Sequence, residues 1–121
     1  MSIANYQYLL IELADLQGVQ KKIETLGLSG FNVTIPYKKE IITYCDFITD
    51  DARMIGAVNC VLVLKDQRWF GFNTDMLAIQ QVIESYKSAA NAKALIIGAG
   101  GAAQAVKLAL DKLNITAYIV S

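Results

Sequence analysis

The 121-residue sequence has no histidine, a single proline, a single tryptophan and only two cysteines, and its 11 basic residues are offset by 11 acidic ones. Each shortage removes a class of chemistry. Without histidine, and with only Cys45 and Cys60 as thiols, a four-ligand zinc site, a Ser-His-Asp triad and a Cys-His pair are all excluded within this chain. No metal site is expected. A net charge of zero without a basic run gives no electrostatic footprint for nucleic acid or an anionic membrane. No unbroken apolar run approaches the ~20 residues of a membrane span. Met1 to Leu16 lacks a basic leader region and carries Glu12 and Asp15, so it does not read as a signal peptide. Cys45 and Cys60 sit among apolar neighbours and read as buried free thiols, which points to a reducing cytoplasm.

At 55% hydrophobic residues the chain has ample material for a core. Tyr6 to Ile11 reads as a strand. Leu16, Val19, Ile23 and Leu26 recur at helical spacing before Gly27, a helix stop. Phe31 to Ile35 alternates as a strand with Phe31, Val33 and Ile35 on one face, and Pro36 suits the first position of a following helix. Ile41, Tyr44, Cys45 and Ile48 continue that helix's apolar face. Thr49 to Ile55 reads as a short helix led by Asp50 and Asp51 and ended by Gly56. Val58 to Leu64 and Trp69 to Phe72 read as an antiparallel hairpin, with Asn59 and Asn73 near its open end and within reach of one ligand. Ile79, Val82, Ile83 and Tyr86 give an amphipathic helix with Asp75 at its start, where Asp75 also suits an N-cap. Ser85 to Lys93 lacks apolar periodicity and serves as a boundary between two lobes.

Two junctions carry chemistry. In Phe31-Asn-Val-Thr34-Ile-Pro-Tyr-Lys38 a strand runs into lysine, so Thr34 and Lys38 can converge on one crevice at a strand's carboxyl end. In Ala94-Leu-Ile-Ile-Gly98-Ala99-Gly100-Gly101-Ala102-Ala103 a buried-type strand enters a glycine-rich turn and then a helix reaching about Asn114, with a second strand at Ile115 to Val120. This is the context of a dinucleotide fingerprint. Gly98 permits the tight turn, Gly100 lets backbone amides approach a pyrophosphate, and Ala103 keeps helix and strand close. Plain packing glycines are the alternative.

Four blocks together, Asn32-Val-Thr-Ile-Pro-Tyr-Lys38, Gly56-Ala-Val-Asn59, Asn73-Thr-Asp75 and Gly98 to Ala103, resemble the shikimate dehydrogenase family in order and spacing. The resemblance implies an NADP-dependent oxidoreductase of aromatic amino-acid biosynthesis that reversibly oxidises the shikimate 3-hydroxyl to 3-dehydroshikimate. Use of NAD, and quinate or aminoshikimate as substrate, are the nearest alternatives; a non-catalytic binding module is another. By the same resemblance Lys38 and Asp75 match the catalytic pair, Thr34, Lys38, Asn59 and Asp75 match substrate-binding positions, and Gly98, Ala99, Gly100, Gly101, Ala102 and Ala103 match the cofactor turn.

The implied architecture is α/β, with a substrate-binding domain over residues 1–90, a mixed sheet with helices, followed over residues 91–121 by the first βαβ unit of an NAD(P)-binding Rossmann domain. Family members carry a serine-containing substrate loop before the position of Tyr6 and further Rossmann units after that of Ser121. The chain is therefore expected to be truncated at both ends, inactive by itself, and prone to form homo-oligomers through exposed sheet faces. Two departures stand out. Met76 occupies the position where the family usually has glycine after Asn-Thr-Asp, so a side chain is expected to intrude where backbone approaches ligand. Cys60 replaces a common threonine beside Asn59.

Overall fold

A computed structural model describes residues 5–86 and 91–121. Helix α1 (Val19–Thr25) buries Val19 and Ile23 and ends before Gly27, which turns the chain at a φ of 62°. Strand β1 (Gly30–Asn32) follows. A 3₁₀ turn (Glu40–Tyr44) leads into β2 (Phe47–Ile48). Helix α2 (Asp50–Ile55) starts at Thr49, whose side chain accepts a hydrogen bond from the Ala52 amide, and ends at Gly56. A serine, threonine, asparagine or aspartate cap of this kind contributes ~1 kcal/mol. Next come β3 (Cys60–Val63), β4 (Trp69–Phe72) and α3 (Asp75–Ser85). The chain closes with β5 (Lys93–Ile97), α4 (Gly101–Lys112) and β6 (Thr116–Val120).

Among the described residues the strands form two sheets, one of order β1-β3-β4-β2 and one pairing β5 with β6. The hairpin β3–β4 is antiparallel with Cys60 opposite Phe72 and Val63 opposite Trp69. β1 runs antiparallel to β3, and β2 runs parallel to β4, which makes the larger sheet mixed. β5 and β6 are parallel, with α4 as their crossover. The α/β class and the mixed sheet agree with the expectation from sequence.

The core has two centres. Leu16, Val19, Ile23, Val33, Ile41, Ala52, Val58, Val61 and Trp69 fill the first, with Phe31 meeting Trp69 edge to face at 4.9 Å. The second consists of Ile55, Ala57, Met76, Ala105 and Ala109, flanked by Ile79 and Leu108. It packs α3 and the end of α2 onto α4, and Lys112 reaches Asp51 at 2.8 Å along the same seam.

Several expectations need correction. Tyr6 to Ile11 is not a strand, because no strand among the described residues pairs with it. Tyr6, Tyr8 and Leu10 stand exposed there. β1 stops at Asn32, since the Thr34 carbonyl accepts from the Tyr37 amide at 2.9 Å and the chain turns. Ile35 is 83% exposed as a result. Pro36 follows a cis peptide bond within that turn and opens no helix. Ile48 belongs to β2 and not to a helix face. On α3 the inward stripe runs through Met76, Ile79 and Ile83, while Val82 and Tyr86 are exposed. β5 is buried only at Ile96, leaving Leu95 and Ile97 in solvent, because α4 covers one face of a two-stranded sheet. Cys45 and Cys60 are free thiols as expected but only half-buried. Of the expected boundary over residues 85–93, residues 87–90 lie outside the described ones.

Candidate functional site

The turn that replaces the expected helix is what presents Lys38. Its carbonyl accepts the Val58 amide at 2.7 Å, so the backbone at Lys38 is tied to the entry of β3. From the opposite side β4 delivers Asn73 and Thr74, and α3 begins at Asp75. Lys38 Nζ donates to Asp75 Oδ2 at 2.9 Å. The two side chains are 24% and 31% exposed, so the pair is sheltered and still reachable from solvent.

Asn59 completes this cluster. Its Nδ2 donates to Asp75 Oδ1 at 2.8 Å and to Thr74 Oγ1 at 2.9 Å, while its Oδ1 accepts the Thr74 amide at 2.9 Å. Both carboxylate oxygens of Asp75 therefore have a donor. Asp75 is the first helical residue and not the cap. Thr74 holds the cap position without a side-chain cap bond. A carboxylate in the first turn also gains from the helix dipole.

Lys38, Asn59 and Asp75 are thus joined directly. Thr34 is exposed and lies in the turn after β1, where it lines a groove of about 640 Å³ together with Tyr8, Asn32 and Tyr37. Tyr8 donates its hydroxyl to Asn32 Oδ1 at 3.0 Å, and Asn32 Nδ2 reaches the Asn59 carbonyl at 3.5 Å, which links groove and cluster. Asn73 does not share a ligand position with Asn59. Its Nδ2 donates to the Ala57 carbonyl at 3.1 Å and its Oδ1 accepts the Asp75 amide at 2.9 Å. Thr74 is a partner of Asn59 that reading the sequence alone misses, although Asn-Thr-Asp after a hairpin strand holds the signal.

Beside this cluster, Met76 is 3% exposed and points into the second core centre with Ala57 and Ala105. The expected intrusion into the ligand region is not what the side chain does. Cys60 has its thiol pushed up by burial, and Cys45 is pushed up to about 11 by burial together with the neighbouring Asp46 carboxylate. Neither is poised as a nucleophile.

The glycine turn lies between β5 and α4. Gly98 has a φ of 114°, a conformation that side chains rarely adopt, and a Cβ on Gly98 or Gly100 would meet nothing within 4 Å. The open flank leaves room for a ligand against the backbone. No side chain caps α4 at Gly100, so its first-turn amides have no partner of that kind. These features fit a dinucleotide pyrophosphate. Gly101 differs from its neighbours, since a Cβ there would lie 3.3 Å from that of Ala57. It is a packing glycine that sets α4 against Ala57 of the second core centre.

Comparison with known proteins points the chain to one family. The family model for the shikimate dehydrogenase substrate binding domain matches residues 2–61. A shikimate dehydrogenase (NADP(+)) of Staphylococcus epidermidis is 39% identical over 109 residues, which span 89% of this chain and 40% of that protein. The crystal structure of shikimate dehydrogenase 1 from Peptoclostridium difficile superposes with a TM-score of 0.82 at 33% identity, covering 93% of this chain and 42% of that one. Shikimate 5-dehydrogenase from Thermus thermophilus, solved in complex with NADP(H) and shikimate, gives a TM-score of 0.78 at 33% identity over 90% of this chain and 41% of its own. The chain thus spans about 40% of the length of the curated relatives it matches. Through the match of its substrate-domain residues and its agreement in sequence and fold with these dehydrogenases over most of its length, the chain belongs to the shikimate dehydrogenase family.

Proposed function

We propose that the protein carrying this sequence is an NADP-dependent shikimate dehydrogenase, with residues 1–90 serving the substrate and residues 91–121 opening the dinucleotide-binding domain. The observation that carries the reading is the Lys38–Asp75 pair at 2.9 Å, with Asn59 on the second carboxylate oxygen. Oxidation of a secondary alcohol breaks a C–H bond, whose electron pair leaves as hydride, and an O–H bond, whose proton needs a base. Lys38 in its neutral form takes that proton on Nζ, and as an ammonium returns it in the reverse direction. Asp75 holds the Nζ by one oxygen and orients it. Hydroxyls of the substrate ring take polar partners from Asp75, Asn59 and Thr34, since a buried hydroxyl without a partner costs about 1 to 3 kcal/mol.

The turn from Gly98 to Ala103 is the proposed cofactor site, with Gly98, Ala99 and Gly100 facing the pyrophosphate, and with Gly101, Ala102 and Ala103 starting the helix behind it. A bound nicotinamide dinucleotide supplies the hydride acceptor in one direction and the donor in the other. A shikimate-like small molecule is the partner, and the zero net charge supports neither nucleic acid nor an anionic membrane as another. No helix of the described residues is long and apolar enough to cross a membrane; with the free thiols Cys45 and Cys60 this supports a cytoplasmic location. Exposed Leu95, Ile97, Tyr118 and Val120 leave a face of the smaller sheet open to further units of the dinucleotide-binding domain or to a second copy of the chain.

The test is absorbance of the reduced cofactor when shikimate and NADP are added to the full-length protein that carries this sequence. Turnover with shikimate and NADP supports the reading. Turnover confined to quinate or to NAD moves the assignment to the related dehydrogenases, and ligand binding without turnover moves it to a binding module.

A further inference from the structure

We propose that Asn73 is a positioning residue for the reaction, acting through Asp75. This rests on the reading of Asp75 as the partner of Lys38. Asn73 lies between β4 and α3 with 8% of its surface exposed, and a buried amide of this kind needs partners for both its ends. Its Oδ1 accepts from the Asp75 amide at 2.9 Å, and its Nδ2 donates to the Ala57 carbonyl at 3.1 Å. Asp75 is thereby held at its backbone by Asn73 and at its carboxylate by Lys38 and Asn59. Three side chains from three segments fix one residue.

The anchor of this clamp is itself immobilised. Ala57 is fully buried and shares the second core centre with Ile55, Met76, Ala105 and Ala109. Gly101, at the start of the fingerprint helix, packs against it. Asn73 thus ties Asp75 to the surface on which α4 rests, so proton-handling group and cofactor turn share one reference point. None of the small replacements reproduces both bonds. Serine has one short hydroxyl that can accept from the Asp75 amide without also spanning to the Ala57 carbonyl, aspartate puts an acceptor where a donor is needed, and alanine offers nothing.

The experiment compares Asn73→Ala and Asn73→Ser by amide hydrogen exchange at Asp75, and by kcat and KM with shikimate and NADP. In the unmodified protein the Asp75 amide is expected to be protected. Asn73→Ala is expected to speed its exchange and lower kcat, each on the order of tenfold, with KM for the dinucleotide changed less than about twofold. Asn73→Ser is expected to restore most of both. In an Asp75→Asn background, Asn73→Ala should add almost no further loss, because coupled residues are not additive. Multiplying losses, or an unprotected Asp75 amide in the unmodified protein, would overturn the proposal. If Asn73→Ala does not fold, the serine variant and the unmodified exchange rate decide. Absence of shikimate turnover in the full-length unmodified protein would sink the enzymatic reading, and Asp75 exchange would still decide whether the clamp exists.

Discussion

Lys38 Nζ and Asp75 Oδ2 lie 2.9 Å apart although 37 positions separate the residues in sequence. The Lys38 turn is fixed by its carbonyl bond to the Val58 amide, and Asp75 is fixed by Asn59 and Asn73. The pair is a product of the β3–β4 hairpin, which brings both supports to one end of the larger sheet.

Asp75→Asn separates partnership with Lys38 from a merely structural role. Asp75 is the first helical residue, where losing a carboxylate costs about 0.3 to 1 kcal/mol of dipole interaction, so a purely structural Asp75 loses a little stability in urea unfolding and no turnover. As the partner of Lys38 it loses turnover as well, on the order of 10². Unchanged turnover would return Asp75 to a structural role.

The glycines of the fingerprint should respond differently from one another. Gly100→Val fills open space beside the turn and should weaken dinucleotide affinity in a titration, with little effect on stability. Gly101→Val drives side-chain atoms into Ala57, whose Cβ would be only 3.3 Å from the first of them. It should cost about 1 to 3 kcal/mol in denaturant unfolding. Equal effects of the two changes on both measurements would contradict the division into a ligand glycine and a packing glycine.

Met76→Ala should destabilise the chain by about 2 to 4 kcal/mol, the usual cost of removing a buried methionine side chain. If Met76 intruded on the ligand region, the same change would leave stability intact and alter shikimate affinity instead. Urea unfolding and a shikimate titration distinguish the two.

Cys45 provides a pH-dependent readout of the first core centre. With its thiol raised from 9.0 to about 11, the native state keeps its proton where the unfolded chain gives it up. This contribution to stability is intact below pH 9 and is lost as pH rises towards 11. Labelling by iodoacetamide at about pH 8 should therefore be on the order of 100-fold slower at Cys45 than in the unfolded chain, since only thiolate reacts. Equal rates would show that burial does not hold the thiol protonated.

Local signals make much of this structure legible. Thr49 before Asp50 and Asp51, with Gly56 after, marks α2 at both ends, and alternating apolar residues around Lys65 to Arg68 mark the hairpin. The strand, glycine turn and helix from Ala94 onward are likewise readable because each is specified within a few residues. What sequence does not reveal depends on partners. Tyr6 to Ile11 has strand-like alternation, but a strand exists only with a ladder, and none is available among the described residues. The α3 stripe includes Met76, which its position beside Asn-Thr-Asp marks as an intruder near ligand, whereas α4 offers it a pocket beside Ala105. Lys38 and Asp75 stand out through the family resemblance, but their support by Asn73 and Thr74 requires knowing that β4 delivers both beside Asn59.

The central claim is that Lys38 handles the hydroxyl proton. Its most direct test is kcat of Lys38→Ala with shikimate and NADP, measured beside the dissociation constant for NADP. A fall in kcat of about 10² to 10⁴ with the NADP constant within a few-fold of the parent is the predicted result. Near-normal turnover in the variant would remove Lys38 from the chemistry and contradict the account.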